Sequence, residues 1–186
     1  EIARKLGAPL DVLVVRKLGV PCNEELAMGA IAPGGICVLN DELIDRLDIE
    51  SDAVGVVRMR AEQELAERDR RYRGERPRRA IAGHTVILVD DGVATGATMH
   101  AAVIFLHRQD AARVVVAAPV MARDACRQLG VLASEVVALA MPDDLGAVGQ
   151  WFVDFEPTTD EDVQRCLAAE TEPPTLRPRE ERSPKQ

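Results

Sequence analysis

The run Val86-Ile87-Leu88-Val89-Asp90-Asp91-Gly92-Val93-Ala94-Thr95-Gly96-Ala97-Thr98 concentrates the chemistry of this 186-residue chain. Its four leading aliphatics predict a central strand, and open parallel sheets bind ligands at the carboxyl ends of their strands. Asp90 and Asp91 fall at that end, where adjacent carboxylates repel each other and no packing requirement places them. The following residues, Gly92, Val93, Ala94, Thr95, Gly96, Ala97 and Thr98, are small or hydroxylated and lead into a helix. Small side chains let backbone N–H groups approach an anion, and a helix N-terminus adds partial positive charge. Thr95 and Thr98 offer hydroxyl donors. Acids placed before such a nest suit a ligand that carries both hydroxyls and a phosphate. Taken singly, Asp-Asp-Gly reads as an ordinary turn and Thr95 as a helix cap. The whole arrangement is harder to explain that way. No Gly-Lys-Thr/Ser follows, so nucleotide hydrolysis of the Walker type is not expected.

Arg16 and Lys17 come directly after a nearly all-apolar run, residues 10–15. If that run is a strand of the same sheet, both cations lie at the ligand edge and can face a diphosphate; otherwise they are a solvated loop pair. Nine arginines fall between Arg58 and Arg79. Most read as a solvated helix face paired with Glu62, Glu64, Glu67 and Asp69, with an RNA-binding patch as the alternative. The net charge of −8 argues against a general nucleic-acid binder. Cys22, Cys37, Cys126 and Cys166 are scattered without a CxxC pair, and His100 and His107 stand seven apart. These read as reduced thiols in a cytoplasmic protein, with no Cys/His metal site. No apolar run approaches the length of a membrane span.

The elements that must position these residues follow from the hydrophobic pattern. Hydrophobic residues make up 47% of the chain and aromatics only 3%, so aliphatic side chains must fill the core. Residues 1–6 read as the end of a helix closed by Gly7. The run 10–15 predicts a strand buried on both faces, followed by a loop carrying Arg16, Lys17, Leu18, Gly19 and Pro21. Residues 24–32 and 36–40 predict a hairpin around Pro33-Gly34-Gly35. Residues 41–47 and 51–71 predict helices opening on Asp41 and Ser51 caps, the second polar enough to lie on the surface. Strands over 85–90, 113–119 and 135–139 then alternate with helices over 95–109 and 122–129. That alternation implies right-handed crossovers and a parallel sheet. Residues 151–155 suggest a last short strand and 159–169 a closing helix. From residue 170 on, Pro, Glu and Arg dominate, which predicts a linker or disordered tail after a domain of residues 1–169.

Four aliphatics, two acids and Gly-Val-Ala-Thr-Gly-Ala-Thr resemble the phosphoribosyl-diphosphate (PRPP) signature of type I phosphoribosyltransferases. The Ala-Thr-Gly ending is closest to the adenine and xanthine members; hypoxanthine-guanine enzymes carry an acid where Ala94 stands. The run from Val14 to Pro21, followed by Asn23 to Ile31, resembles a poorly characterised branch of that family, sometimes joined to a hydrolase-like domain. The resemblance implies a three-layer α/β fold with a central, mainly parallel sheet and a small hood. It implies that Asp90 and Asp91 grip the ribose hydroxyls, that residues 94–98 hold the 5′-phosphate, and that Mg²⁺ bridges ribose and diphosphate. It also implies a homodimer.

The same resemblance assigns further candidates. Arg71, Tyr72 and Arg73 precede the motif strand, where type I enzymes carry a mobile loop that closes over the substrate. The segment from Gly146 to Phe155 is similar to the hood over the nucleobase, which makes Leu145, Val148 and Trp151 base-site candidates and leaves Asp154 as a candidate helper acid. Type I enzymes usually begin with a strand, a diphosphate loop and a helix; here only the end of such a helix is expected, so the domain reads as incomplete at its amino terminus. The reading is a Mg²⁺-dependent transfer of ribose 5-phosphate from PRPP to a nitrogenous acceptor, a nucleobase first. The alternatives are a non-catalytic PRPP- or nucleotide-binding regulatory module and, behind it, an RNA-binding regulator.

Overall fold

The computed structural model describes residues 1–169 except Glu75, so the expected tail lies outside the described residues. In chain order the elements are α1 (Ile2–Leu6), β1 (Arg16–Val20), β2 (Asn23–Ala32), β3 (Ile36–Leu39), α2 (Asp41–Arg46) and α3 (Ser51–Arg73). Then come β4 (Thr85–Val89), β5 (Gly92–Val93), α4 (Ala97–Arg108), β6 (Arg113–Met121), α5 (Arg123–Leu132), β7 (Glu135–Ala140), a 3₁₀ turn (Val148–Trp151) and α6 (Asp160–Ala169). The α/β class and the parallel sheet anticipated from the alternating pattern are what the chain adopts.

Strands β4, β6 and β7 are parallel, with β6 in the middle. The two-residue β5 runs on along the same edge of β6 beyond the end of β4, pairing Gly92 with Val120 and Val93 with Met121. A separate antiparallel sheet holds β1, β2 and β3, its second turn at Pro33-Gly34-Gly35 as expected. A register shift around Gly19 interrupts the β1–β2 ladder. That bulge turns Met28 to the same side as Ile31, while Ala30 and Ala32 face the other way.

Two aliphatic cores result. One joins Ala30, Ala32 and Ile36 to Met99, Val103 and Phe105 of α4, Val114 and Val116 of β6, and Leu129 of α5. The other joins Leu18, Met28 and Ile31 to Leu65 and Tyr72 of α3 and Leu167 of α6. Helix α4 therefore lies between the two sheets and is buried on most sides, which its Ala- and Val-rich sequence permits. Each fully buried Leu, Ile or Val contributes about 1.5–3 kcal/mol. On the parallel sheet, Val86, Leu88, Val136 and Ala138 face this core. Ile87, Val89, Val137 and Leu139 alternate to the far side and stay exposed, so the described residues cover one face of that sheet.

Four local expectations are corrected. Residues 10–15 form no strand. Leu10 and Asp11 are exposed; from residue 12 the chain packs on both sides, Val14 buried and Val12 partly buried in one core, Leu13 and Val15 partly buried against the other, but no neighbouring ladder takes their backbone. The Arg16–Val20 stretch is a strand rather than a loop, because antiparallel pairing with β2 outweighs its polar and glycine residues. Residues 151–155 give no strand; a 3₁₀ turn ends at Trp151 and the chain continues without a partner. Finally, the helix caps are displaced by one residue. Asn40, not Asp41, accepts the Leu43 N–H of α2 at 3.0 Å, and Glu50 precedes Ser51 at the start of α3 without a side-chain cap bond.

Candidate functional site

The motif occupies the predicted junction of strand, loop and helix. Asp90 closes β4, its N–H donating to the Ala117 carbonyl of β6 at 3.2 Å. The Asp91 N–H donates to Asp90 Oδ1 at 3.0 Å, which fixes the orientation of that carboxylate. Solvent reaches Asp90, yet the surrounding protein and then the neighbouring Asp91 push its carboxyl above the usual aspartate value of 3.8, against the lowering effect of the Asp91 N–H. β5 then returns to the sheet, where the Val93 carbonyl accepts the Ala122 N–H at 2.8 Å. Ala94 and Thr95 are exposed between this anchor and α4.

Gly96 stands at the N-cap of α4 with φ 79°, a left-handed conformation that side chains resist. A Cβ added there would lie 3.3 Å from the Cβ of Ala125 on α5. The N–H groups of Ala97, Thr98 and Met99 open the helix without intrahelical acceptors, and the Thr95 hydroxyl is 3.5 Å from the first of them. Thr98, Met99 and Ala102 of α4 line a cleft of about 230 Å³ together with Leu13, Val15, Leu88, Val89 and Asp90. The arrangement puts a carboxylate, a hydroxyl and a helix N-terminus around one space, so hydroxyls and an anion can be held side by side.

The remaining candidates disperse. Arg16 ion-pairs with Glu64 of α3, because successive residues of an extended chain point opposite ways and Val15 takes the cleft side. Lys17 is exposed on β1, opposite Ala30. Arg71, Tyr72 and Arg73 form the last turn of α3. Arg71 reaches Asp160 at 2.5 Å, the Tyr72 O–H donates to Asp160 at 2.6 Å, and Arg73 holds Asp11 at 3.0 and 3.2 Å. The expected solvated arginine face is otherwise present, with Arg58 on Glu62 and Arg60 on Glu64. A broader depression of about 290 Å³ beside Arg16, Arg68 and Arg71 also contains Glu64, Glu67 and Asp160, and it shares no residue with the cleft.

Of the base-site candidates, Leu145 is buried and its carbonyl accepts the Trp151 indole N–H at 3.0 Å. Trp151 is half exposed and Asp154 exposed. Val148 comes down on the motif itself: a Cβ built on Gly92 would meet its Cγ1 at 2.4 Å. Val148, Val120 and Ala125 are thus residues that shape the loop from outside. Nothing in the linear pattern marks Val120 or Ala125, since small and aliphatic residues fill every element here.

Asp90 and Asp91 are adjacent hard-oxygen donors, and the described residues include no group of three or more His, Cys, Asp or Glu side chains able to hold an ion alone. Two carboxylates alone would not hold an ion but would suit the neighbourhood of a Mg²⁺ carried by a phosphorylated ligand. No helix among the described residues is long and apolar enough to cross a membrane.

Comparison with known proteins places the chain in a family. The family model described as the phosphoribosyl transferase domain matches residues 1–136. Two Mycobacterium tuberculosis proteins, one from each of two strains and both provisionally named phosphoribosyl transferases, are each 43% identical over 167 residues. The match takes in 90% of this chain but 38% of theirs, so the chain spans about two fifths of the length of these curated relatives. The crystal structure of TT1426 from Thermus thermophilus superimposes with a TM-score of 0.72 at 43% identity, covering 90% of this chain and 79% of that one. The chain belongs to the phosphoribosyl transferase domain family.

Proposed function

We propose that this domain transfers ribose 5-phosphate from PRPP to a nitrogenous acceptor of the nucleobase type and releases diphosphate. The observation that carries the reading is the shared cleft of Asp90 and Thr98, set between the acidic end of β4 and the first turn of α4. The Asp90 and Asp91 carboxylates take the ribose hydroxyls, while the amides and hydroxyls of residues 94–98 take the 5′-phosphate. As diphosphate leaves, positive charge grows on the anomeric carbon, and the two carboxylates stabilise it. Asp90 and Asp91 would stand beside a Mg²⁺ brought in with PRPP, which would supply charge neutralisation for the departing diphosphate. The setting is cytoplasmic and the unit a homodimer.

One observation favours a second reading, a PRPP- or nucleotide-binding regulatory module. The residues lining the cleft include no basic side chain, and the Arg16 guanidinium is taken by Glu64. RNA binding is disfavoured, because Arg58, Arg60, Arg71 and Arg73 of α3, and Arg78 beyond it, are partnered by acids of α3. Titration calorimetry with PRPP and Mg²⁺, followed by an assay of diphosphate release with a panel of bases, separates the readings. Release with one base establishes the transferase; binding without release from any base selects the regulatory module. If D90N combined with D91N leaves PRPP binding unchanged, the site assignment is wrong.

A further inference from the structure

Among the described residues, the segment after β7 touches the motif at Gly92. Residues 144–155 brace themselves: the Gly146 N–H donates to Asp144 Oδ1 at 3.2 Å, the Trp151 indole N–H to the Leu145 carbonyl at 3.0 Å, and the Phe152 N–H to the Gly149 carbonyl at 3.3 Å. The Phe152 and Phe155 rings pack with centroids 5.1 Å apart. Leu145 is buried beneath the segment, whereas Trp151, Val153 and Phe155 are exposed on it. From this unit Val148 projects onto the backbone of Gly92, so near that a Cβ there would meet Cγ1 at 2.4 Å and Cγ2 at 2.7 Å. Val120 of β6 closes the same space at 3.1 Å.

Gly92 immediately follows the acidic pair and begins β5, the two-residue anchor that ends at Val93. The far end of the loop is gripped in the same fashion, Gly96 against Ala125. Between these grips Ala94 and Thr95 are exposed. Side-chain contacts at both ends therefore help set the spacing between the carboxylates and the amides of α4, beside the two-residue ladder of β5 and the Ala122 N–H on the Val93 carbonyl. Small errors in such spacing are costly, since a displacement of about 1 Å in a binding constellation can lower its performance about a hundredfold.

We propose that Val148 is a positioning residue for the motif: packed on Gly92, it holds Asp90 and Asp91 in register with the anion-binding amides of residues 94–98. Its importance to ligand affinity rests on the PRPP reading; its effect on loop geometry does not. A branched side chain is required, because both methyl groups bear on the glycine and a shorter residue leaves that space open.

The test uses V148A, V148I, G92A and the double variant G92A/V148A. Hydrogen exchange of amides 91–96 in the ligand-free protein should rise about tenfold in V148A, with β6 and the middle of α4 unchanged. In titrations with PRPP and Mg²⁺, V148A should weaken binding about tenfold and V148I, which keeps both branches, should recover most of it. G92A should be damaging alone and less so together with V148A, since removing the isopropyl group makes room for the new methyl. Unchanged exchange at 91–96 in V148A, or strictly additive effects in the double variant, would overturn the proposal. If the wild-type chain fails to bind PRPP, the functional reading falls, while exchange in the single and double variants still decides the role of Val148. If it binds and V148A binds equally well, the proposal falls and the reading stands.

Discussion

Arg73 donates to both carboxylate oxygens of Asp11, at 3.0 and 3.2 Å, and to the Val12 carbonyl at 2.9 Å. This pair ties residues 10–15, which lack a ladder, to the end of α3. The Arg79 N–H adds a bond to Asp11 at 3.2 Å, and the Arg73 side chain is 11% exposed. Truncating it removes the cation that Asp11 and Asp69 share and leaves Asp69 to Arg78. R73L should lose about 2–3 kcal/mol, discounted from the value for a fully buried pair because Asp11 is one-third exposed. Chemical denaturation checks this; a midpoint within error of wild type would mean that hydrophobic burial alone seats the segment.

Asp90 carries the pH dependence of the site. Its carboxyl is pushed above 3.8 by the surrounding protein and by Asp91. A raised carboxylate pKa means that ionisation opposes folding: the contribution is fully favourable below 3.8 and is lost as pH rises through the folded-state value. D90N should therefore raise the melting temperature at neutral pH while weakening PRPP binding. In the wild type, Mg²⁺-dependent PRPP binding should decline on acidification before the ordinary aspartate range is reached. Calorimetric scans and titrations across the acid range measure both effects, and a D90N protein that melts lower at neutral pH would contradict this account.

The Gly96 conformation makes a separate, local demand. With φ 79° and Ala125 3.3 Å from any added Cβ, G96A meets both backbone strain and a tight neighbour. The substitution should cost about 1–2 kcal/mol of stability. It should also weaken binding of ribose 5-phosphate, because strain is relieved by turning the first amides of α4. Denaturation midpoints and phosphate-competition titrations would show both losses together. Loss of stability with unaltered binding would separate the cap from the anion site.

The clasp on α6 responds to acid in the opposite sense to Asp90. Asp160 accepts from Tyr72, then from Arg71 and Arg68, and these hold its carboxyl below 3.8. The stabilisation is present above 3.8 and disappears as pH falls through the lower, folded-state value. Y72F and D160N should each raise amide exchange along α6 at neutral pH, with D160N the larger because it also releases Arg68 and Arg71. Exchange confined to wild-type levels in both would show that Leu167 packing suffices to dock the helix.

Much of the architecture was legible because the chain states it locally. The β-branched runs alternate with Ala- and Leu-containing segments, and strands β4, β6 and β7 fall where that alternation puts them. Arg16 was not legible in the same way. Residue type placed it at a ligand edge, whereas its neighbour Val15 faces the cleft and Glu64 claims the guanidinium. Side-chain direction depends on which face of an extended segment meets α3, and residue type does not encode that. The run 10–15 shows the same limit. Its apolar pattern foretold the two-sided packing of residues 12–15, though not the exposure of Leu10 and Asp11; a ladder also requires a partner backbone, and hydrophobicity says nothing about whether one arrives.

The sequence by itself determined the motif: two acids at a strand tip, then small residues opening a helix, all within thirteen consecutive positions. Such a unit is readable because its chemistry depends on neighbours along the chain, through strand alternation, helix-terminal amides and glycine torsion. Only the tertiary structure decided what holds that unit in shape. Val148 lies 56 positions beyond Gly92, and Ala125 lies 29 beyond Gly96. Close packing is a relation between surfaces that meet only after the sheet is assembled, and in a chain filled with Val and Ala no residue announces which contact it will make.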